Sequence, residues 1–286
     1  MKKLMFATAV AAAGLAYGVE SSNVVGYNTK TLEAGKFAIA AFQFEATDGT
    51  LDINKIVSGL APASYAEYGN DFVDVAPQVQ VPNGVGYDVY YYLSDGFYID
   101  EKGNESEKAG WCDKSGTIAG NDAAGALVSG ELIPGVAVWT KDVQNSGNLK
   151  IAGQVPSVKS LEVDTPATFV LRANVYPVAF DLNDVEAVTF TGLTPASYAE
   201  YGNDFVNYAP QIQVPNGVGY DVYYYLSDGF YIDEKGNESE KAGWCDKSGT
   251  IAGNDAAGAL VTGIVPAGVG FWAKGVGSAF SMTFLK

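Results

Sequence analysis

Histidine is absent from the chain. That removes Ser-His-Asp and Cys-His nucleophilic catalysis, imidazole zinc ligands and an imidazole proton switch near neutral pH. Cysteine occurs only twice, and two thiols without histidine fall short of the ligand set of a structural zinc site. Basic residues are scarce too: 17 Lys and Arg stand against 33 Asp and Glu, a formal charge of −16. Phosphate recognition needs a basic surface, so nucleic acid is a poor partner, and the same charge repels anionic membrane surfaces. The bland reading of the charge is solubility; bound cations are the sharper one. Past the N-terminus no apolar stretch approaches the ~18 residues of a membrane-spanning helix.

Residues 1–18 read as an export signal. Lys2 and Lys3 form a basic start, Leu4 to Leu15 is an uncharged apolar run, and Ala16 and Gly18 are spaced like a cleavage site. Cleavage is expected before Val19, with a cut after Ala16 as the alternative. No cysteine lies near the cut, which argues against a lipid anchor. The expected location is secreted, periplasmic or on the cell surface, with no membrane span after signal removal.

What the chain has in abundance is itself. Ser58 to Gly130 recurs without a gap as Thr191 to Gly263, shifted by 133 positions, and 67 of the 73 aligned residues are identical. A period of that size is that of a domain, not of a solenoid repeat. Trp139 matches Trp272 and Gly135 matches Gly268 at the same offset. "DINKI" from Asp52 pairs with "DLNDV" from Asp181, and "KTLEAGKFAIAAF" from Lys30 loosely with "KSLEVDTPATFVL" from Lys159, both at an offset of 129. The expected organisation is a signal peptide (1–18), a first β-rich unit (19–155) and a second (156–286).

Short apolar runs alternate with turn dipeptides such as Asn83-Gly84, Asp95-Gly96 and Pro134-Gly135, the pattern of short strands and tight turns. Tyr87, Val89, Tyr91 and Leu93 fall on one face of a period-two segment; Asp88, Tyr90, Tyr92 and Ser94 fall on the other. Gly135 to Lys141, Leu149 to Val155 and Phe280 to Leu285 are further strand candidates. Asp52 to Val57 and Asp181 to Ala187 suggest single capped helical turns, and Ala123 to Leu127 is ambiguous. The expected fold class is all-β: two tandem β-sandwich-like or related repeats with few helical turns.

The segment "SSNVVGY" after Glu20, then "GWCDKSG" from Gly110 and "IPGVAVW" from Ile133, resemble a group of uncharacterised secreted bacterial proteins. In these a signal peptide is followed by an "SxNVVGY" segment. The second unit lacks that motif. The resemblance implies secretion and a β-rich fold, and transfers no site residues.

Three constellations are candidates. Cys112 and Cys245 occupy equivalent "GWCDKSG" positions, and an even count in an exported chain invites a disulfide. A pseudo-twofold arrangement would bring equivalent points within the Cα spacing of about 4.4–6.8 Å that a bridge needs, whereas end-to-end stacking would not; bridges between chains and free thiols are the alternatives. Asp100, Glu101 and Glu105, with their copies Asp233, Glu234 and Glu238, gather carboxylate oxygens of the kind calcium takes. "DEKGNESE" departs from EF-hand spacing, and a solvated hairpin tip explains the same charges. Tyr90, Tyr92 and Trp111, copied as Tyr223, Tyr225 and Trp244, offer flat rings with polar edges on which sugars stack; cross-strand pairing inside a sheet explains them equally well.

The preferred functional reading is a non-catalytic, secreted or envelope protein with a structural, adhesive or surface-binding role, its partner a glycan or another cell-surface component. A carbohydrate-binding module is the alternative. An outer-membrane β-barrel, suggested by alternation of Phe280, Met282 and Phe284, and an acidic hydrolase stand behind these.

Overall fold

Side-chain alternation along short strands builds the architecture. A computed structural model describes residues 25–99, 102–114, 117–118, 121–122, 130–232, 235–247, 250–251, 254–255, 260 and 262–286. The expected export signal and the Ala123–Leu127 stretch lie outside the described residues. In the first half the strands of the two main sheets are β1 (Val25–Leu32), β2 (Phe37–Ala41), β3 (Val57–Ser58), β4 (Gln78–Pro82), β5 (Tyr87–Ile99), β6 (Glu105–Cys112), β7 (Ala137–Lys141) and β8 (Gly147–Gln154). They form an antiparallel three-stranded sheet, β1-β8-β3, and an antiparallel five-stranded sheet, β2-β7-β4-β5-β6.

The second half contains β9 (Ser160–Thr165), β10 (Val170–Ala173), β11 (Val188–Thr191), β12 (Gln211–Pro215), β13 (Tyr220–Ile232), β14 (Glu238–Cys245), β15 (Gly270–Lys274) and β16 (Phe280–Leu285). Its sheets, β9-β16-β11 and β10-β15-β12-β13-β14, reproduce the first half strand for strand. The class is all-β and sandwich-like. Leu32, Val57, Leu149 and Ile151 of the small sheet pack on Ala40, Val79, Trp111 and Val138 of the large one. Val188, Met282 and Phe284 meet Ile212, Phe271, Ala273 and Trp244 in the same way. A fully buried Leu, Ile or Phe contributes roughly 1.5–3 kcal/mol, so each half has a core of its own.

The outer face of each large sheet is covered in two places. One cover is local. In the first half it is helix α2 (Tyr65–Tyr68) with the 3-10 turn Gly69–Asp74; its copy is α3 (Tyr198–Tyr201) with Gly202–Asn207. Phe72 and Ala76 pack there on Leu93 and Cys112, and Phe205 and Ala209 on Leu226 and Cys245. The pairing of β5 with β6 shifts register between Leu93 and Gly96. The irregularity carries Asp95, whose carboxylate accepts from Ser64 Oγ (2.8 Å), Tyr65 N (2.6 Å) and Ala66 N (2.8 Å). Asp228 does the same for Ser197, Tyr198 and Ala199.

The other cover is the opposite half. Ile39, Ala41 and Ala137 pack on Leu171 and Ala173, and the Trp139 and Trp272 ring centroids lie 6.0 Å apart. Equivalent residues therefore face one another across a pseudo-twofold seam. A Cβ placed on Gly270 would lie 2.5 Å from Ile39 Cγ2, and closer still to the Cβ of Ala137, its own counterpart. Gln43 Nε2 crosses the seam to the carbonyls of Asn174 (3.1 Å) and Tyr176 (2.7 Å).

Several expectations need correction. Helix α1 (Ile53–Ile56) forms with Asp52 as its cap, but Asp181 to Ala187 makes turns: Asp181 accepts from Asn183 N (2.9 Å) and from Gly263 N (3.1 Å). Those bonds hold Phe180–Asp181 as a short strand against Ile264–Val265. Strand pairing sets Asn28 opposite Ile151 and Val163 opposite Met282, and Ile151 and Met282 are equivalent through their β3 and β11 partners Val57 and Phe190. Lys30 thus corresponds to Thr165, not Lys159; the similarity of those two segments does not follow the fold. Phe280–Leu285, which hinted at a membrane barrel, is the middle strand of a sandwich sheet, with Phe280, Met282 and Phe284 buried in the core. No helix among the described residues is long and apolar enough to cross a membrane.

Candidate functional site

The expected stacking platform turns inward. Trp111 is 1% exposed, Trp244 0% and Tyr223 8%. Tyr90 and Tyr92 pack against the first core and Tyr225 against the second. The rings pair with each other, Tyr92 with Trp111 at 5.0 Å and Tyr225 with Trp244 at 5.3 Å. The side chains of Asn54 and Asn183 fix these strands by accepting from Trp111 N (2.6 Å) and Trp244 N (2.8 Å). Tyr90 and Tyr92 point to the sandwich interior and stay partly buried, and Trp111 beside them is fully buried, so the three do not form an open platform. A side cleft of about 480 Å³ beside Trp111 is lined by Asn54, Tyr98 and Lys108. In the second half Leu260 packs over the equivalent Gly243, which marks the niche as a packing feature.

The disulfide is also corrected. Both cysteines are free and buried, one in each local cover. The pseudo-twofold seam brings the tryptophans together, not the thiols, and burial keeps either thiol from another chain. Burial first, then the nearby carboxylates of Asp113 and Asp95, push the Cys112 thiol up to about 12; Asp246 and Asp228 act likewise on Cys245. Of the calcium candidates, Glu105 and Glu238 are exposed at the starts of β6 and β14. Asp100, Glu101, Asp233 and Glu234 lie outside the described residues. Among the described residues no three His, Cys, Asp or Glu side chains group to hold a metal ion.

A different aromatic surface flanks the seam. Phe37, Gln80, Tyr87 and Trp139 come from β2, β4, β5 and β7 and line a shallow pocket of about 170 Å³ on the outer face of the large sheet. Phe37 and Tyr87 are 48% and 43% exposed, and their counterparts Phe169 and Tyr220 are 40% and 44% exposed. Phe37 meets Trp139 edge to face at 6.1 Å, and Lys141 Nζ sits 5.2 Å from the Phe37 ring centre, as Lys274 Nζ does at 5.1 Å from Phe169. Tyr87 and Tyr220 stand at the base of hairpins whose turns are closed by Asn83 and Asn216. Asn83 Oδ1 accepts from Gly86 N (2.8 Å), and Gly84 takes a φ of +87° that a side chain would disfavour. Val85 and Val218 at the tips are each 99% exposed.

On the far side of the Phe37–Trp139 ridge a cleft of about 500 Å³ opens between the halves. Tyr220 and the Gly217–Gly219 turn of the second half form one wall; Lys30, Glu33 and Lys36 of the first half form the other. Glu33 and Lys36 are ion-paired and exposed. Lys30 is partly buried, and burial pushes its ammonium pKa down.

The sequence signal for this surface was present at three equivalent pairs: Phe37 and Phe169, Tyr87 and Tyr220, Trp139 and Trp272. Only the assembled large sheet shows that these rings share one outer face and border open space. The chain was compared with known proteins, and no family model, curated protein or solved structure matches it.

Proposed function

We propose that the protein is exported and non-catalytic, and that it attaches to an envelope or surface component through the ring clusters flanking its seam. One observation carries this reading: Phe37, Tyr87 and Trp139, and their equivalents Phe169, Tyr220 and Trp272, stand open or half-open around the junction, the four Phe and Tyr rings 40–48% exposed. Exposed aromatic clusters are costly in water and are enriched where proteins bind partners. Two copies of the patch on one rigid chain raise avidity when both engage one surface. The basic and apolar start of the chain supplies the export part of the reading. A carbohydrate ligand is the second reading, favoured by flat rings beside the Gln80 amide in one pocket.

The test is co-sedimentation of the purified chain with insoluble envelope material. Wild type is expected in the pellet, and Tyr87→Ser with Tyr220→Ser is expected to weaken binding at least tenfold without a change in melting temperature. Equal binding by the double variant, or no binding by wild type, would overturn the proposal.

A further inference from the structure

The seam cleft carries a charge opposite to that of the molecule around it. The chain has 33 acidic residues and 17 basic ones, yet the charged side chains lining the cleft are Lys30, Lys36 and Glu33. Glu33 is taken up by Lys36. Lys30 has no carboxylate partner among the described residues, although acidic side chains outnumber basic ones about two to one. A partly buried ammonium without a counter-ion is unfavourable unless something negative completes it. Phe37, 48% exposed, stands next to Lys36, and Tyr220, 44% exposed, faces them from the second half, with half-buried Trp139 also in the lining. Three rings share the apolar part of the lining with Ala38, Ile39, Pro215 and Val269, and exposed rings beside ammonium groups suit a flat, hydroxyl-edged ligand that carries negative charge. A nucleic acid backbone needs a run of basic groups, and the cleft offers two lysines, one of them already paired.

We propose that this cleft binds an acidic polysaccharide, with carboxylate-bearing sugar rings laid on Phe37 and Tyr220 and a carboxylate held at Lys30. The inference rests on the surface-binding reading above and gives its ligand a chemical class. Attraction is short-ranged and local. The cleft's lysines hold one or two carboxylates while the acidic remainder of the protein repels the rest of the polymer, so affinity per chain is modest and depends on ring contacts as much as on charge.

Calorimetric titration of the full-length chain with hexagalacturonate at low and at 0.5 M salt tests this, with cellohexaose as the neutral ring control and a hexaglutamate peptide as the ring-free anion. Hexagalacturonate is expected to bind at least tenfold more tightly than either control, and to weaken in salt. Lys30→Met, which keeps the aliphatic stem, and Phe37→Ala are each expected to reduce affinity about tenfold. Lys55→Met, a lysine paired with Asp48 away from the cleft, should bind like wild type. Equal binding of hexagalacturonate by Lys30→Met and wild type, or of cellohexaose and hexagalacturonate by wild type, overturns the acidic-sugar assignment. So does equal binding of hexaglutamate. Absence of hexagalacturonate binding while envelope co-sedimentation persists overturns this inference and leaves the surface-binding reading standing; loss of both removes both.

Discussion

Gly270→Ala adds one methyl group at the centre of the seam. Gly270 sits in β15 and is not among the glycines with positive φ, so alanine brings no backbone strain and the effect is steric. The new carbon would lie 2.5 Å from Ile39 Cγ2 and nearer still to Ala137 Cβ. Neither atom is the loose end of a long side chain: one is rooted in β7 and the other is a β-branched methyl on β2. Relief requires the two large sheets to separate, and overpacking of this kind costs about 1–3 kcal/mol. For a chain of this size that lowers the melting temperature by about 2–4 °C per kcal/mol.

The discriminating step is the swap. Ala137→Gly removes the facing methyl and alone costs up to about 1 kcal/mol. Combined with Gly270→Ala it should return part of the loss, because the seam has room for one methyl at this point; Ile39 keeps the rescue incomplete. The coupling between the two changes should be at least about 0.5 kcal/mol in the favourable direction. Two sandwiches joined by one seam need not unfold as one unit, so the readout is tryptophan fluorescence during thermal and guanidinium unfolding, to which Trp139 and Trp272 contribute from the seam itself. A Gly270→Ala chain as stable as wild type, or single effects that simply add, would refute back-to-back docking of the large sheets.

Burial works to raise the Asp95 and Asp228 carboxyls, but the N–H and hydroxyl donors of α2 and α3 outweigh it and hold both below the ordinary carboxylate range. A folded-state pKa below the unfolded one contributes stability above the unfolded value and loses it as pH falls through the folded one. Asp95→Asn with Asp228→Asn should therefore cost about 1 kcal/mol per site at neutral pH and flatten the loss of stability below about pH 4; an unchanged acid limb in a pH series of melts contradicts the capping role. The thiols, raised to about 12 and buried, should resist a disulfide-exchange reagent at pH 8 in the native protein and titrate as two per chain in denaturant. Rapid native labelling, or a non-reduced mass two hydrogens short, would show that they are accessible or bridged.

Strand existence was legible in the sequence because alternation and turn dipeptides are local signals. Phe280–Leu285 has the expected bounds, and Gly147–Gln154 lies close to them. The helical covers were missed although Ser64 and Glu67 have the spacing of a capping box: Ser64 does cap α2, but the turn is too short to show a helical period. The ring assignment failed for a different reason. Alternation along β5 separates Tyr87 and Tyr91 from Tyr90 and Tyr92 but does not say which face meets solvent, and over the middle of the strand neither does. The core covers one face and Phe72 with its neighbours covers the other. Only at Tyr87 does the local cover stop. The ring cluster of the first half draws on segments about 50 to 100 positions apart in the chain, so it exists only once the large sheet has formed; Tyr220 joins Phe37 around the cleft only once the halves have docked, and no local pattern encodes either step.

The distribution of identity along the duplication corresponds to the two kinds of packing. The nearly identical block supplies β4 to β6 and their helical cover, and beneath that cover each half packs on itself: Ala63, Phe72, Ala76, Leu93 and Cys112 form the same cluster as Ala196, Phe205, Ala209, Leu226 and Cys245. Surroundings that are the same in both halves accept the same side chains. At the seam the residues face the other half; Trp139 and Trp272, and Ala41 and Ala173, are alike, but other pairs differ. Gly135 lies against Val163 and Val175, whereas its counterpart Gly268 lies against Asn28. Gln43, which by strand register occupies the position of Val175, sends its amide to two backbone carbonyls across the junction. One side of the pseudo-twofold is thus apolar and the other hydrogen-bonded. Two copies of the first half facing each other would set Asn28 and Gln43 on both sides, and neither would gain the Val163–Val175 contact. The seam therefore favours the joining of unlike halves, and its asymmetry places Lys30, Glu33 and Lys36 on one wall of the cleft with ring and turn on the other.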